Sequence, residues 1–151
     1  MRKIIKVNSL VETTNLAFNI GKLLKGGEII ELISDLGGGK TAFVKGLAKG
    51  MGSDDEVSSP TFTISRVYKA GNLELHHYDF YRLHHAGVVA AQLAESVNEN
   101  HVVVAVEWGK IVQGVLPAHR LKITIRSTGE NSRTFVMEAH DEKHKKLIEN
   151  L

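Results

Sequence analysis

Apolar residues first form a short run, Ile4 to Val7, and then take up a helical rhythm. Leu10, Leu16, Ala17, Ile20, Leu23 and Leu24 recur at near-helical spacing until Gly26-Gly27 interrupts them. Ser9 followed by Glu12 is a capping box, so the pattern predicts a strand and then a helix opening after Ser9. Glu28 to Ile33 is a short apolar run closed by Leu36-Gly37-Gly38-Gly39, as a buried strand running into a turn would be. From Thr41 to Met51 the spacing is helical again, with Phe43, Val44, Leu47, Ala48 and Met51 on one face and Gly52 where a C-cap glycine belongs. Phe62 to Tyr68 and Leu73 to Phe80 are β-rich runs around Lys69-Ala70-Gly71-Asn72 and predict antiparallel neighbours.

The second half continues with a helix around Val88 to Val97 and a β-branched buried strand, His101 to Val106. A second hairpin pairs Leu121 to Arg126 with Thr134 to Ala139 around Thr128-Gly129-Glu130-Asn131, and a short helix follows from about Asp141. Strands that alternate with helices early and pair as hairpins later predict an α/β fold, a mixed sheet flanked by helices.

Composition narrows this picture. A chain of 151 residues with 42% hydrophobic content has material for one adequate core, so residues 1–151 are expected to form a single domain without a lid or second lobe. The longest apolar stretch, Val102 to Val106, is far too short for a membrane span, and Met1 to Lys6 carries no signal-like apolar region, which predicts a cytoplasmic protein. With no cysteine, disulfides, thiolate metal sites and cysteine nucleophiles are excluded. The net charge of +2 is too weak to diagnose a nucleic-acid binder. Lys143, Lys145 and Lys146 form the one dense basic group, interleaved with His144, and read as a solvated helix end with its cations near the C-terminus.

The chemistry concentrates in Ser34-Asp35-Leu36-Gly37-Gly38-Gly39-Lys40-Thr41, which matches the phosphate-loop pattern GxxxxGK[ST] everywhere but its first position. A loop between strand and helix presents consecutive backbone N–H groups to a polyphosphate, with the positive end of the helix behind them. Asp35 to Ala42 is therefore the candidate ATP-binding segment: Lys40 would neutralise the β- and γ-phosphates, and the Thr41 hydroxyl would take one position on Mg²⁺. Where the first position needs a backbone conformation easy only for glycine, Ser34 strains the loop and weakens affinity or slows turnover.

Hydrolysis also needs acids. Glu107 ends the strand His101 to Val106, where a Walker B carboxylate emerges, and Asp79 ends another strand; either could hold Mg²⁺ or polarise water. Asp79 could equally cap the turn that follows it. Thr61, after Pro60, offers a hydroxyl that would sense the γ-phosphate and metal, unless the segment is merely a loop leading into a strand. Trp108 could stack on a base or a partner, or pack as core. The pairs His76-His77 and His84-His85 suggest a metal, but neighbouring strand residues point to opposite faces and make no two-ligand site. No Asn-Lys-x-Asp run reads guanine, so adenine is the expected base.

These motifs together resemble the bacterial TsaE (YjeE) family. Asp35-Leu36-Gly37 through Thr41, Ser59-Pro60-Thr61-Phe62, His77-Tyr78-Asp79-Phe80-Tyr81-Arg82 and Glu107-Trp108 occur in the family's order and spacing, followed by Leu116-Pro117 and Arg120-Leu121. The resemblance implies a P-loop NTPase-like α/β fold with ATP and Mg²⁺ at Lys40 and Thr41, Glu107 at the end of a Walker B strand, Asp79 as a functional acid, Thr61 in a switch-like segment and Trp108 near the site. It implies an ATPase that docks on the TsaB-TsaD heterodimer and supports threonylcarbamoyl transfer to N6 of the adenosine beside the anticodon, meeting tRNA indirectly through that complex. The chain departs from the family at Ser34, usually glycine, and at Gly109-Lys110, where proline and an acid are common. A nucleotide-gated interaction module with negligible hydrolysis and a small P-loop phosphotransferase stand as alternatives.

Overall fold

A computed structural model describes residues 1–35 and 37–151. The chain runs β1 (Arg2–Val7), α1 (Leu10–Gly21), β2 (Ile29–Ile33), α2 (Lys40–Met51), β3 (Ser65–Ala70), β4 (Leu73–Asp79), α3 (Gly87–Asn98), β5 (Val102–Glu107), a 3₁₀ turn (Gly109–Val112), β6 (Leu121–Ser127), β7 (Arg133–Glu138) and α4 (Glu142–Lys145). All the strands join one mixed sheet in the order β1-β7-β6-β2-β5-β4-β3. Its centre, β6-β2-β5-β4, is parallel, while β3 on one side and β7 and β1 on the other pair antiparallel. The α/β mixed sheet expected from the sequence is the fold observed.

Burial follows from that arrangement. Every residue of β5 is buried, as a strand covered on both faces must be. Its alternate residues serve different cores: Val103 and Ala105 pack with α1, α2 and Leu147 and Ile148 near the C-terminus, whereas Val102, Val104 and Val106 pack with Leu93 of α3 and with Val112 and Leu116. The pair α1 and α2 is unusually close. A Cβ on Gly46 would collide with the Thr14 carbonyl and the Ala17 side chain, and one on Gly50 with the Phe18 carbonyl.

Several boundaries differ from the sequence reading for identifiable reasons. At α1 the capping box forms: the Glu12 N–H donates to Ser9 Oγ at 3.1 Å and Glu12 Oε2 accepts the Asn8 N–H at 2.7 Å. The helix ends at Gly21 because Leu23 and Leu24 donate to carbonyls three residues back, a tightened turn that still delivers Leu24 to the core. The run from Phe62 does not start a strand. The Pro60 carbonyl accepts the N–H groups of Thr63 and Ile64, Ile64 takes φ 69°, and β3 begins only at Ser65. Phe62 stays 79% exposed, so its β propensity is overruled by the turn at Pro60. In the last helix His144 is buried, and Lys143 reaches the Gly26 carbonyl at 3.2 Å. Among the described residues, no helix is long and apolar enough to cross a membrane.

Candidate functional site

The parallel centre of the sheet sends β2, β4 and β5 toward one edge, where open α/β sheets place ligands. There β2 gives way to the glycine loop and α2. Gly39 caps α2 in a left-handed conformation, φ 97°, with no side chain on the free N–H groups of the first turn. Gly37 also has positive φ, 77°, and among the described residues none comes within 4 Å of where a Cβ would stand. The loop thus offers bare backbone and a helix N-terminus to a cavity of about 260 Å³. Gly37, Gly38, Gly39, Lys40, Thr41, Ser59, Thr61, Asp79, Glu107 and Trp108 line it.

Pairing of β4 with β5 places Asp79 opposite Glu107 in register. Asp79 accepts the Thr61 hydroxyl on Oδ2 at 2.7 Å and the Tyr81 N–H on Oδ1 at 2.9 Å. It both caps the turn after β4 and faces the cavity, so the two readings of this acid hold together. Ser59 Oγ lies 2.8 Å from Thr61 Oγ1; since Thr61 donates to Asp79, Ser59 donates to Thr61. Glu107 places Oε2 2.6 Å from Nε2 of His77 and turns Oε1 toward Lys40 Nζ at 4.0 Å.

Lys40 is 7% exposed and its ammonium is tied into its own loop, donating to the carbonyls of Ser34 and Asp35 at 3.3 and 3.1 Å and to Ser34 Oγ at 3.2 Å. Burial pulls its pKa below the ordinary lysine value, against the opposing pull of Glu107, Asp79 and Asp35. A polyphosphate would add negative charge beside this lysine and favour its protonated form. Trp108 takes φ 55°, a left-handed backbone that costs a non-glycine residue about 1–2 kcal/mol. That conformation lays the indole 5.1 Å from Lys40 Nζ and 5.0 Å from the Tyr81 ring, and half-buries it against the Leu93 side of the core.

The sequence-derived residues therefore converge: Gly37 to Thr41, Thr61, Asp79, Glu107 and Trp108 share one cavity. Asp35 contributes through its carbonyl, Ala42 follows Thr41 in α2 without lining the cavity, and Leu36 lies outside the described residues. Ser34 departs from expectation, because it takes no positive φ; its hydroxyl engages Lys40 and donates to the Asp35 carbonyl at 2.7 Å. A Cβ on Gly38 would strike that hydroxyl. Hard oxygens of Thr41, Thr61, Asp79 and Glu107 around the cavity suit Mg²⁺. Among the described residues no cluster of three or more His, Asp or Glu could hold a metal unaided, so such an ion would need phosphate oxygens and water as further ligands.

The model of the family "Threonylcarbamoyl adenosine biosynthesis protein TsaE" matches residues 7–135. The chain belongs to the TsaE family. The tRNA threonylcarbamoyladenosine biosynthesis protein TsaE of Bacillus subtilis (strain 168) is 35% identical over 140 residues, covering 93% of this chain and 87% of the relative. That of Treponema pallidum (strain Nichols) is 37% identical over 118 residues, covering 78% and 87%. The crystal structure of Bacillus subtilis YdiB aligns with a TM-score of 0.81 at 30% identity, over 99% of this chain and 93% of that one. The fold is accordingly the P-loop-like α/β fold of TsaE, a family of tRNA threonylcarbamoyladenosine biosynthesis.

Within this TsaE chain, some residues gain roles that sequence patterning missed. His77 sits beneath Glu107; the sequence showed it as one of a histidine pair and as the first residue of the His77-to-Arg82 motif, and neither pattern assigned it a partner. Arg133, from β7, donates Nε to the Gly38 carbonyl at 3.1 Å and braces the glycine loop from a residue 95 positions away. The Arg120 of the family pattern is structural: Nε donates to Glu31 Oε2 at 2.7 Å and Nη1 to the Pro117 carbonyl at 2.8 Å, holding β2 to the segment before β6.

Proposed function

We propose that this chain binds ATP with Mg²⁺ and hydrolyses it in the cytoplasm in support of threonylcarbamoyl transfer to N6 of the adenosine beside the anticodon, docked on the TsaB-TsaD heterodimer and meeting tRNA through it. The observation that carries the reading is the placement of Asp79 and Glu107 side by side at the ends of parallel strands, facing a glycine loop with a buried lysine.

In this mechanism the backbone N–H groups of the glycine loop and the ammonium of Lys40 hold the β- and γ-phosphates. Thr41 and Asp79 would hold Mg²⁺ directly and Glu107 would hold it through a coordinated water, with Thr61 contributing its hydroxyl when the γ-phosphate is present. Bound there, the ion would neutralise charge on the phosphate oxygens. Glu107 Oε1, the carboxylate oxygen nearest Lys40, orients the attacking water and accepts its proton. Trp108 and Tyr81 form an aromatic wall that restricts solvent beside the lysine, and the unfavourable backbone of Trp108 supports a functional reason for that placement.

Ser34 favours a second reading, a nucleotide-gated interaction module with negligible hydrolysis, because its hydroxyl competes with phosphate for Lys40. Phosphate release measured with and without TsaB-TsaD separates the two. Stimulation by the pair is expected; nucleotide-dependent docking without phosphate release would favour the module.

A further inference from the structure

We propose that His77 is the positioning residue for Glu107: it holds Oε2 from beneath so that Oε1 is the carboxylate oxygen presented to the cavity. The inference rests on the proposed role of Glu107 and concerns how that role is enforced.

His77 and Asp79 share one face of β4, two residues apart, and β5 brings Glu107 level with Asp79. The same strand face therefore supplies one acid to the cavity and a support under the other. The contact is buried: His77 is fully buried and Glu107 is 2% exposed, with Nε2 and Oε2 2.6 Å apart. Nδ1 of His77 is buried too and has no partner among the described residues. A neutral imidazole has one N–H to place, and a carboxylate can only accept. Putting the hydrogen on Nε2 satisfies Glu107 and leaves Nδ1 as a bare acceptor; the opposite tautomer would bury a bare donor and leave Oε2 facing a lone pair.

The consequence is a division of labour within one carboxyl group. Oε2 is committed to His77, and Oε1 points toward Lys40 Nζ. Without the ring, the carboxylate could rotate or pair both oxygens with Lys40, and the water-directing oxygen would lose its fixed place. Hydrogen bonds to a ligating or catalytic carboxylate from outside the reacting shell typically matter by about 10- to 100-fold. The neighbour His76 takes no part, since it faces the other side of the sheet, bound to Ser96 Oγ at 2.8 Å and Glu74 Oε2 at 2.7 Å.

The test has two parts. Long-range proton–nitrogen NMR on the wild-type chain without nucleotide, with His77 assigned by its loss in His77→Gln, is expected to show the Nε2–H tautomer and a slowly exchanging Nε2 proton; an Nδ1–H tautomer overturns the proposal without any activity being measured. In the TsaB-TsaD-stimulated assay, His77→Leu should lower kcat about 10- to 100-fold with the ATP KM within about twofold, and His77→Gln, which restores an N–H donor, should recover at least tenfold of that loss. Wild-type turnover in His77→Leu, or His77→Gln as impaired as His77→Leu, overturns it. Glu107→Ala in the same assay separates the levels: if that variant turns over normally, the role of Glu107 falls and the support with it, whereas an inactive Glu107→Ala beside a fully active His77→Leu removes the support alone.

Discussion

Thr61 donates its hydroxyl to Asp79 across 2.7 Å, joining the Pro60 turn to the end of β4 over 18 residues of sequence. The bond is half-buried and charge-assisted, a class that contributes about 1.5–3 kcal/mol. Thr61→Val keeps the shape and deletes the donor. Its expected effect is about a tenfold fall in stimulated turnover with ADP affinity unchanged, checked by phosphate release alongside ADP calorimetry.

Ser34 Oγ accepts from Lys40 at 3.2 Å. A neutral-acceptor bond of this kind contributes about 0.5–1.5 kcal/mol, and phosphate must displace it. Ser34→Gly should therefore tighten ATP and ADP alike by about fivefold. Calorimetric titration checks this, and an equal or weaker affinity would show that the serine does not compete.

Gly46 lies where α1 and α2 nearly touch, and an added methyl group would meet the Thr14 carbonyl and Ala17. In a free helix Gly→Ala is stabilising by about 0.5–1 kcal/mol; overpacking costs about 1–3 kcal/mol and wins here because backbone atoms cannot step aside. Gly46→Ala is expected to lower the urea midpoint with an unchanged m-value.

Asp141 caps α4 and accepts from the buried His144, whose Nε2 in turn accepts the Ile29 N–H at 3.0 Å at the start of β2. Burial pushes the carboxyl up, but the side-chain and backbone hydrogen bonds from His144 outweigh it, and the net pKa lies below the usual aspartate value. A depressed folded-state pKa contributes stability above the unfolded value and loses it as pH falls through the folded one. Asp141→Asn keeps a cap acceptor without the charge, so it should be less stable near neutrality and converge on the wild type in acid. Denaturation midpoints measured from pH 7 to pH 2 check the convergence.

How much of this could be read from the chain depends on how local each feature is. The glycine loop, Lys40 and Thr41 were legible because strand, turn and helix lie within a few residues, and Asp79 and Glu107 were legible as strand ends. That these acids stand level depends on β4 pairing with β5, across α3, which no local pattern reports. The same distance hid His77, whose partner is 30 residues on, and Arg133, whose partner is 95 residues back. Phe62 to Ile64 was misread as strand because β propensity is local while Pro60 bends the chain into a turn. The close approach of α1 to α2 at Gly46 and Gly50 is likewise a contact between separate elements, which the helical spacing of α2 does not report.

The central claim is that Lys40 and the glycine loop wrap the phosphates of ATP. Calorimetric titration of Mg-ATP against the wild type and Lys40→Ala tests it most directly. Saturable binding by the wild type, abolished in the folded variant, is the expected result; undiminished affinity in Lys40→Ala would contradict the account.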